Sequence, residues 1–378
     1  MFSSSLRTAD RESLALGCEI APLKMPLETS RILIVKPSSL GDIVHTLPVV
    51  HALKRSLPGC FIGWIVQQAF APLLAADQNI DAIYPIQIPS TSEPQAGRWA
   101  WLAAGKATLQ TLQTLRKQFR QAPYDLILDL HASFRSGLLG WTNPGGMRIG
   151  FRDAKELNTL FQDQLVAVPA EVQHAQEKNL LFCKQLGINV AAEDFHLPCR
   201  EEDREAAQIF LAEQGARGKQ IIYANPAARW QTKFWPVERW AELADHFAAQ
   251  GRLLVFGGSK QDVNYIAAIT RLMRSQPVIA AGRLNLAQSA ALISRSALYV
   301  GLDSGPMHIA ALAKVPVVAL FGPTHPERVG PWSVASRIIR AEGLHCLECR
   351  QRSCAHLACM KGISVQMVSD AAAALLES

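Results

Sequence analysis

One rhythm runs through this chain twice and restricts its fold more than any single motif does. A short apolar run is followed by a turn of small and polar residues, then by a stretch with helical spacing. Ile32-Leu33-Ile34-Val35 opens the first round, residues 37–42 make the turn, and 43–57 the helix, with Val44, Leu47, Val50 and Leu53 on one face and Pro58-Gly59 at its end. Strands that read as continuous β-branched runs are buried on both faces, which requires a parallel sheet covered by helices. Further strands are expected at 61–66, 82–86 and 124–130, with helices at 68–76, 98–120 and 174–186. After a strongly polar stretch at 201–219 the rhythm restarts, with strands at 221–224, 253–256, 278–280, 297–302 and 315–321 and helices at 237–250 and 286–294. At 378 residues the chain is long enough for two cores. The expected fold class is therefore α/β, with two Rossmann-like β/α/β domains facing each other across a cleft. The expected divisions are an N-terminal extension at 1–30, domains at 31–205 and 206–364, and a C-terminal helix at 365–378.

Composition removes several classes of protein. No apolar run reaches the roughly 18–20 residues of a membrane span, and residues 1–30 mix Arg7, Asp10, Arg11, Glu12, Glu19 and Lys24 without the apolar core of a secretory signal. The cytoplasm is the expected location. A net charge of +6 permits an acidic partner without requiring one. One segment is more pointed: between Glu93 and Asp125 there is no acidic residue, only Arg98, Lys106, Arg116, Lys117 and Arg120, with Trp99 and Trp101 near its start. Such a helix can rest on an anionic membrane face, or can be the solvated outer helix of an α/β domain.

Tyr299-Val300-Gly301-Leu302-Asp303-Ser304-Gly305-Pro306-Met307-His308 is strand, small-residue turn and helix start, with proline where a helix tolerates it. Backbone N–H groups and the helix dipole at such a turn attract an anion, with Asp303 or Ser304 available as cap. Asp42, just past the first strand, is either a base for an acceptor hydroxyl or a helix cap. Lys233 is either a surface lysine or a cation for a diphosphate leaving group. His308 fits a satisfied core histidine as well as a ligand contact. His131 and Arg135 follow the strand at 124–130, where parallel sheets carry their binding crevice. No G-x-G-x-x-G follows the first strand, and no D-x-D pair occurs to hold a metal-bridged diphosphate. Cys346, Cys349, Cys354 and Cys359 crowd into fourteen residues. They are read as a structural Zn2+ site, as reduced thiols or as a tightly folded cysteine loop.

Several of these stretches together resemble a known family. Residues 34–48 (Ile-Val-Lys-Pro-Ser-Ser-Leu-Gly-Asp-Ile-Val-His-Thr-Leu-Pro), Asp129-Leu130-His131 with Arg135-Ser136, and the helix start at His174-Ala175 are similar to the bacterial lipopolysaccharide heptosyltransferases, glycosyltransferase family 9. So are Lys233-x-Trp235-Pro236, residues 301–308, Phe321-Gly322-Pro323-Thr324 and the cysteine cluster. The resemblance implies a GT-B fold, an ADP-heptose donor and inverting transfer to a lipid-linked oligosaccharide, the inner core of lipopolysaccharide. It places the enzyme peripherally on the cytoplasmic face of the inner membrane, with no cofactor required and no nucleic-acid partner. It casts Asp42 as general base and Lys233 as the diphosphate lysine. Asp303, Ser304, Gly305 and His308, with Asn225, Gly257 and Gly258 on the neighbouring turns, fall to the donor. Ser39, Gly41, Arg135 and Lys155 fall to the acceptor. Lys155 stands where one branch of the family carries an arginine, and His131 where the family carries a glutamine. The alternatives are a GT-B sugar-nucleotide epimerase and a non-catalytic nucleotide-sugar binding protein.

Overall fold

A computed structural model describes residues 27–89, 98–216 and 218–377. The expectation for 1–30 falls almost wholly outside these. Two six-stranded sheets organise the chain. In the first, β1 (Arg31–Val35), β2 (Phe61–Gln67), β3 (Ala82–Ile86), β4 (Leu126–Asp129), β5 (Met147–Phe151) and β6 (Gln164–Val166) lie in the order β3-β2-β1-β4-β5-β6. In the second, β7 (Ile221–Asn225), β8 (Leu253–Phe256), β9 (Val278–Ile279), β10 (Leu298–Leu302), β11 (Val317–Leu320) and β12 (Ser336–Ile339) take the order β12-β11-β10-β7-β8-β9. Every pairing is parallel. The central strands are buried along their whole length, as their unbroken apolar sequences require.

Strand order reverses between β1 and β4 in the first sheet and between β7 and β10 in the second. Open parallel sheets bind ligands outside the carboxyl ends of the strands at such a reversal. Val35 is registered with Asp129 there, and Asn225 with Gly301. The residues following β1, β4, β7 and β10 thus form the two walls of one crevice.

Local chemistry modifies the expected elements. The helix expected at 43–57 is two, Leu40–Val44 and Leu47–Ser56, because Pro48 has no N–H to continue the first and suits the opening turn of the second. The helix expected at 68–76 is a 3-10 turn, Gln68–Phe70, and a single α turn, Ala71–Leu74, again with a proline at its start. The helix Glu201–Glu213 runs through the expected division at 205/206 and packs on Leu286–Ser294 of the second half. The last helix, Val365–Leu376, covers β10 to β12 and the helix Val237–Ala249.

One apolar core passes through both halves, from Ile32, Ile34 and Trp64 in the first sheet to Tyr299, Met307 and Ile309 in the second. The domains are thus joined at the base of the crevice by packed side chains, not by a linker alone.

Candidate active site

On the first-domain wall, Ser39 caps the helix Leu40–Val44 and Asp42 occupies its third position. Asp42 Oδ2 accepts from the Ser39 N–H at 2.9 Å and from the Ser39 hydroxyl at 2.8 Å, half of a capping box. Asp42 thus does act on a helix start, at Ser39 rather than at the expected Ile43. Its other oxygen is 3.6 Å from Lys36 Nζ, and the side chain keeps 42% of its surface exposed. Lys36 is buried and donates to the Leu130 carbonyl at 2.6 Å, which ties the end of β1 to the end of β4. Burial alone would raise the Asp42 pKa, but the Lys36 ammonium and the two Ser39 donors outweigh it and hold the carboxyl well below the usual carboxylate range. The group is ionised at any working pH, with one oxygen face still open to the crevice. His131 stands beside it, its pKa lowered by burial and by the same ammonium.

Behind this wall Asp129 gathers donors. Ser136 Oγ and Asn158 Nδ2 reach its Oδ2 at 2.9 and 2.7 Å, and the His131 N–H reaches Oδ1 at 3.0 Å. This cluster fixes the start of the helix Phe134–Trp141, whose first turn carries Arg135. Lys155 is exposed on the loop after β5, and Glu156 beside it accepts from the Phe134 N–H at 3.3 Å.

On the second-domain wall, Lys233 Nζ donates to Asp303 Oδ2 at 2.6 Å and to the Asp303 carbonyl at 3.0 Å. Both side chains are largely buried. Ser304 is the N-cap residue of the helix Gly305–Leu312, but its hydroxyl makes no capping bond; it lies 3.3 Å from Asn225 Nδ2, leaving first-turn amides unclaimed by that side chain. Gly257 follows β8 so close to the Tyr223 hydroxyl that no Cβ fits. Gly258 leads into Ser259, whose N–H and hydroxyl both bond Asp262 Oδ2 at 2.7 Å. Trp230 lies 4.9 Å from both Lys233 Nζ and the Arg352 guanidinium carbon, so the cysteine-rich loop closes on the lysine's neighbour.

The two walls meet at a crossing of their helix starts. A Cβ at Gly41 would stand 2.5 Å from the His308 ring, and one at Gly305 would stand 2.6 Å from Leu40. His45 Nε2 and His308 Nδ1 are 3.0 Å apart across the interface, and His174, whose Nε2 reaches the Gly330 carbonyl at 3.1 Å, packs edge-on against His45. Gln176 and Asn179 both donate to the His45 carbonyl. Burial lowers all three histidine pKa values, His308 to about 4, so the bond joins two neutral rings, one donating and one accepting. His308 stands in the fields of Asp303, Asp42 and Lys233. Its nearest partner is a histidine of the other domain.

Sequence reasoning missed Lys36, His45, His174, Trp230 and Arg352. Lys36 and His45 stand inside the 34–48 stretch already singled out, and Trp230 is three residues from Lys233. Long-range contact gives them their roles, and nothing local announces it.

The four clustered cysteines are free thiols, and no three of them bring their sulfurs within 4.8 Å of one another. Cys359 stands within the electrostatic reach of Cys346, Cys349 and Cys354, and its thiol pKa is raised, chiefly by burial. The loop is held by its backbone, with the Glu348 and Arg350 amides on the Gly322 and Pro323 carbonyls. His325, Glu327 and Glu348 do converge, but Glu348 is engaged by His325 at 2.7 Å and by Arg340 at 2.6 Å.

The fold matches "the glycosyl transferase family 9 from Veillonella parvula" with a TM-score of 0.78, at 24% identity over 94% of this chain and 99% of that one. It also matches "E. coli heptosyltransferase WaaC with ADP" with a TM-score of 0.70, at 24% identity over 91% and 99%. Such a pair of domains, with facing switch points, is the GT-B fold. Residues 112–359 match the family model "Glycosyltransferase family 9 (heptosyltransferase)", and the chain belongs to that family. In sequence it is similar to lipopolysaccharide heptosyltransferase 1 of Pseudomonas aeruginosa, 28% identical over 339 residues that cover 86% of this chain and 88% of the relative. It is equally similar, at 28% over 297 residues covering 78% and 83%, to lipopolysaccharide heptosyltransferase 3 of Escherichia coli K12.

Proposed function

We propose that the protein transfers a heptose from ADP-heptose to the inner core of lipopolysaccharide, with inversion at the anomeric carbon. The observation that carries the reading is the meeting of two walls: an ionised Asp42 on one, and a lysine–aspartate pair at a helix N-terminus on the other. Asp42 accepts the proton of an acceptor hydroxyl as that oxygen bonds the anomeric carbon. The carbon–oxygen bond to the diphosphate breaks, and its electron pair leaves on ADP. Lys233 and the amides at Ser304 and Gly305 stabilise the charge growing there, a contribution of a few kcal/mol per well-placed donor. Asp303, held by Lys233, faces the sugar hydroxyls. Because Lys36 and Ser39 depress the Asp42 pKa, Asp42 is a weak base, so proton transfer comes late, once the attacking oxygen has become acidic through bond formation. Arg135 and Lys155 meet the acidic groups of the acceptor. The enzyme works at the cytoplasmic face of the inner membrane, where its lipid-linked acceptor is held.

The test is incubation with ADP-heptose and a heptose-deficient core acceptor. New glycosylated product with ADP release is expected, and Asp42→Ala lowers kcat by about 10²–10⁴-fold. An altered sugar without transfer would mean an epimerase, and binding without turnover a sensor. Near-normal turnover by Asp42→Ala would remove the base.

A further inference from the structure

We propose that the outward faces of the helices Arg98–Gln121 and Phe134–Trp141, with the adjoining segment 157–161, dock the protein on an anionic lipid bilayer. This deepens the reading of the acceptor as a membrane-held glycolipid and rests on it only for the orientation of the docked protein. The apolar surface is concentrated there. Of the eleven large apolar side chains exposed among the described residues, seven lie between 99 and 160: Trp99, Leu102, Leu109, Phe134, Trp141, Leu157 and Leu160. The remaining four, Ile209, Val263, Leu272 and Ile338, are scattered in sequence.

The pattern has helical order. Positions 99, 102, 106, 109, 113, 116 and 120 follow the three-four spacing of one helix face, and all seven are exposed. That face reads Trp, Leu, Lys, Leu, Gln, Arg, Arg, while Ala104, Leu115 and Phe119 turn inward to the domain. A solvated outer helix would put polar groups where this one puts Trp99, Leu102 and Leu109. Phe134 and Trp141, seven residues apart, mark the outward face of the second helix. The two faces are continuous, because the Arg116 guanidinium carbon lies 5.9 Å from the Trp141 ring, and Phe134 packs at 5.3 Å on Phe161, which directly follows the exposed Leu160.

Charge selects the occupant. The helix Arg98–Gln121 contains no carboxylate and exposes Lys106, Arg116, Lys117 and Arg120. The nearby acids are engaged internally: Asp125 by the Arg31 N–H, Asp153 by Lys178, Asp163 by Arg148 and Glu156 by the Phe134 N–H. Tryptophan and leucine flanked by cations suit shallow insertion among anionic headgroups. The second helix starts at the end of β4, beside the strand that leads to Asp42. A protein seated on this face keeps its acceptor wall next to the bilayer and its donor wall toward water.

The experiment is flotation of the full chain with vesicles of phosphatidylglycerol and phosphatidylethanolamine, against vesicles of phosphatidylcholine. Two variants are compared with wild type: Leu102→Ser/Leu109→Ser/Trp141→Ser, and the charge-reversed Lys106→Glu/Arg116→Glu/Arg120→Glu, whose exposed positions leave the fold intact. Wild type should prefer the anionic vesicles at least tenfold, and each variant should bind them about tenfold or more weakly. Both variants should keep wild-type transfer to a water-soluble, delipidated core acceptor. The proposal is overturned if wild type ignores anionic vesicles, or if the variants bind them like wild type. It is equally overturned if the variants instead abolish a dimer seen by sedimentation velocity while vesicle binding persists. Failure of transfer to the soluble acceptor would strike the proposed activity and leave vesicle binding unaffected.

Discussion

Asp42 carries two duties at once, since the carboxylate that faces the crevice also accepts from the N–H and hydroxyl of Ser39 at the start of its own helix. The two can be separated. Ser39→Ala removes one of its donors, which should raise the Asp42 pKa and cost about 1 kcal/mol of stability while leaving turnover within a few-fold. Asp42→Asn keeps an acceptor for the cap but no base, so stability should hold while kcat falls by about 10²-fold or more. Thermal unfolding and steady-state kinetics of the two variants make the comparison. For Lys233 the expectation differs, because Asp303 is its partner at 2.6 Å. Lys233→Ala leaves a largely buried carboxylate without its cation at the diphosphate site. Donor KM should rise and kcat fall together, whereas unchanged donor affinity would dismiss the diphosphate role. In sequence, Asp42 and Lys233 were visible as candidates, but their partners were not. Nothing local to residue 42 says that Lys36 lies 3.6 Å away.

The helix starts Leu40–Val44 and Gly305–Leu312 cross so closely that each offers a glycine to the other. Gly41→Ala must push on the His308 ring and Gly305→Ala on Leu40. Each should cost about 1–3 kcal/mol and lower turnover more than an alanine at exposed Gly145, which has open space around it. The His45–His308 bond joins the same two helices, so His45→Ala and His308→Ala should be non-additive, with a coupling of about 0.5–1.5 kcal/mol in a double-mutant cycle of unfolding. Additive costs would mean that the 3.0 Å contact stabilises nothing. Strands and helices at this scale were legible from apolar period and turn residues. Two misplacements came at prolines, where Pro48 splits a helix that periodicity alone makes continuous and Pro72 shortens another, and a third at 201–213, where a polar stretch folds as a helix.

Across the whole molecule, the buried histidines make stability depend on pH. In the unfolded chain each binds a proton near the ordinary value of 6.5, whereas in the folded protein His308 does so only near 4, and His45 and His174 are also lowered. The unfolded state therefore binds more protons between these values, and stability falls as pH drops from 6.5 toward 4. For His308 alone the loss at pH 5 is about 2 kcal/mol. The Asp42 contribution has the opposite origin, is fully present above its ordinary value of 3.8, and cannot account for a loss in that window. Denaturant unfolding at pH 7 and pH 5 measures the difference, and His308→Asn should flatten it. By itself the sequence determined two parallel α/β domains, the turns that line a crevice, and a cationic segment with tryptophans at its start. These follow from local patterns of apolar residues, small residues and charge, which a chain displays without folding. Only the tertiary structure decided that Lys36 serves Asp42, that Lys233 binds Asp303, that His45 meets His308 across 263 residues, and that Trp99, Leu102 and Leu109 point outward. Those are relations between segments distant in sequence, created when the domains pack against each other.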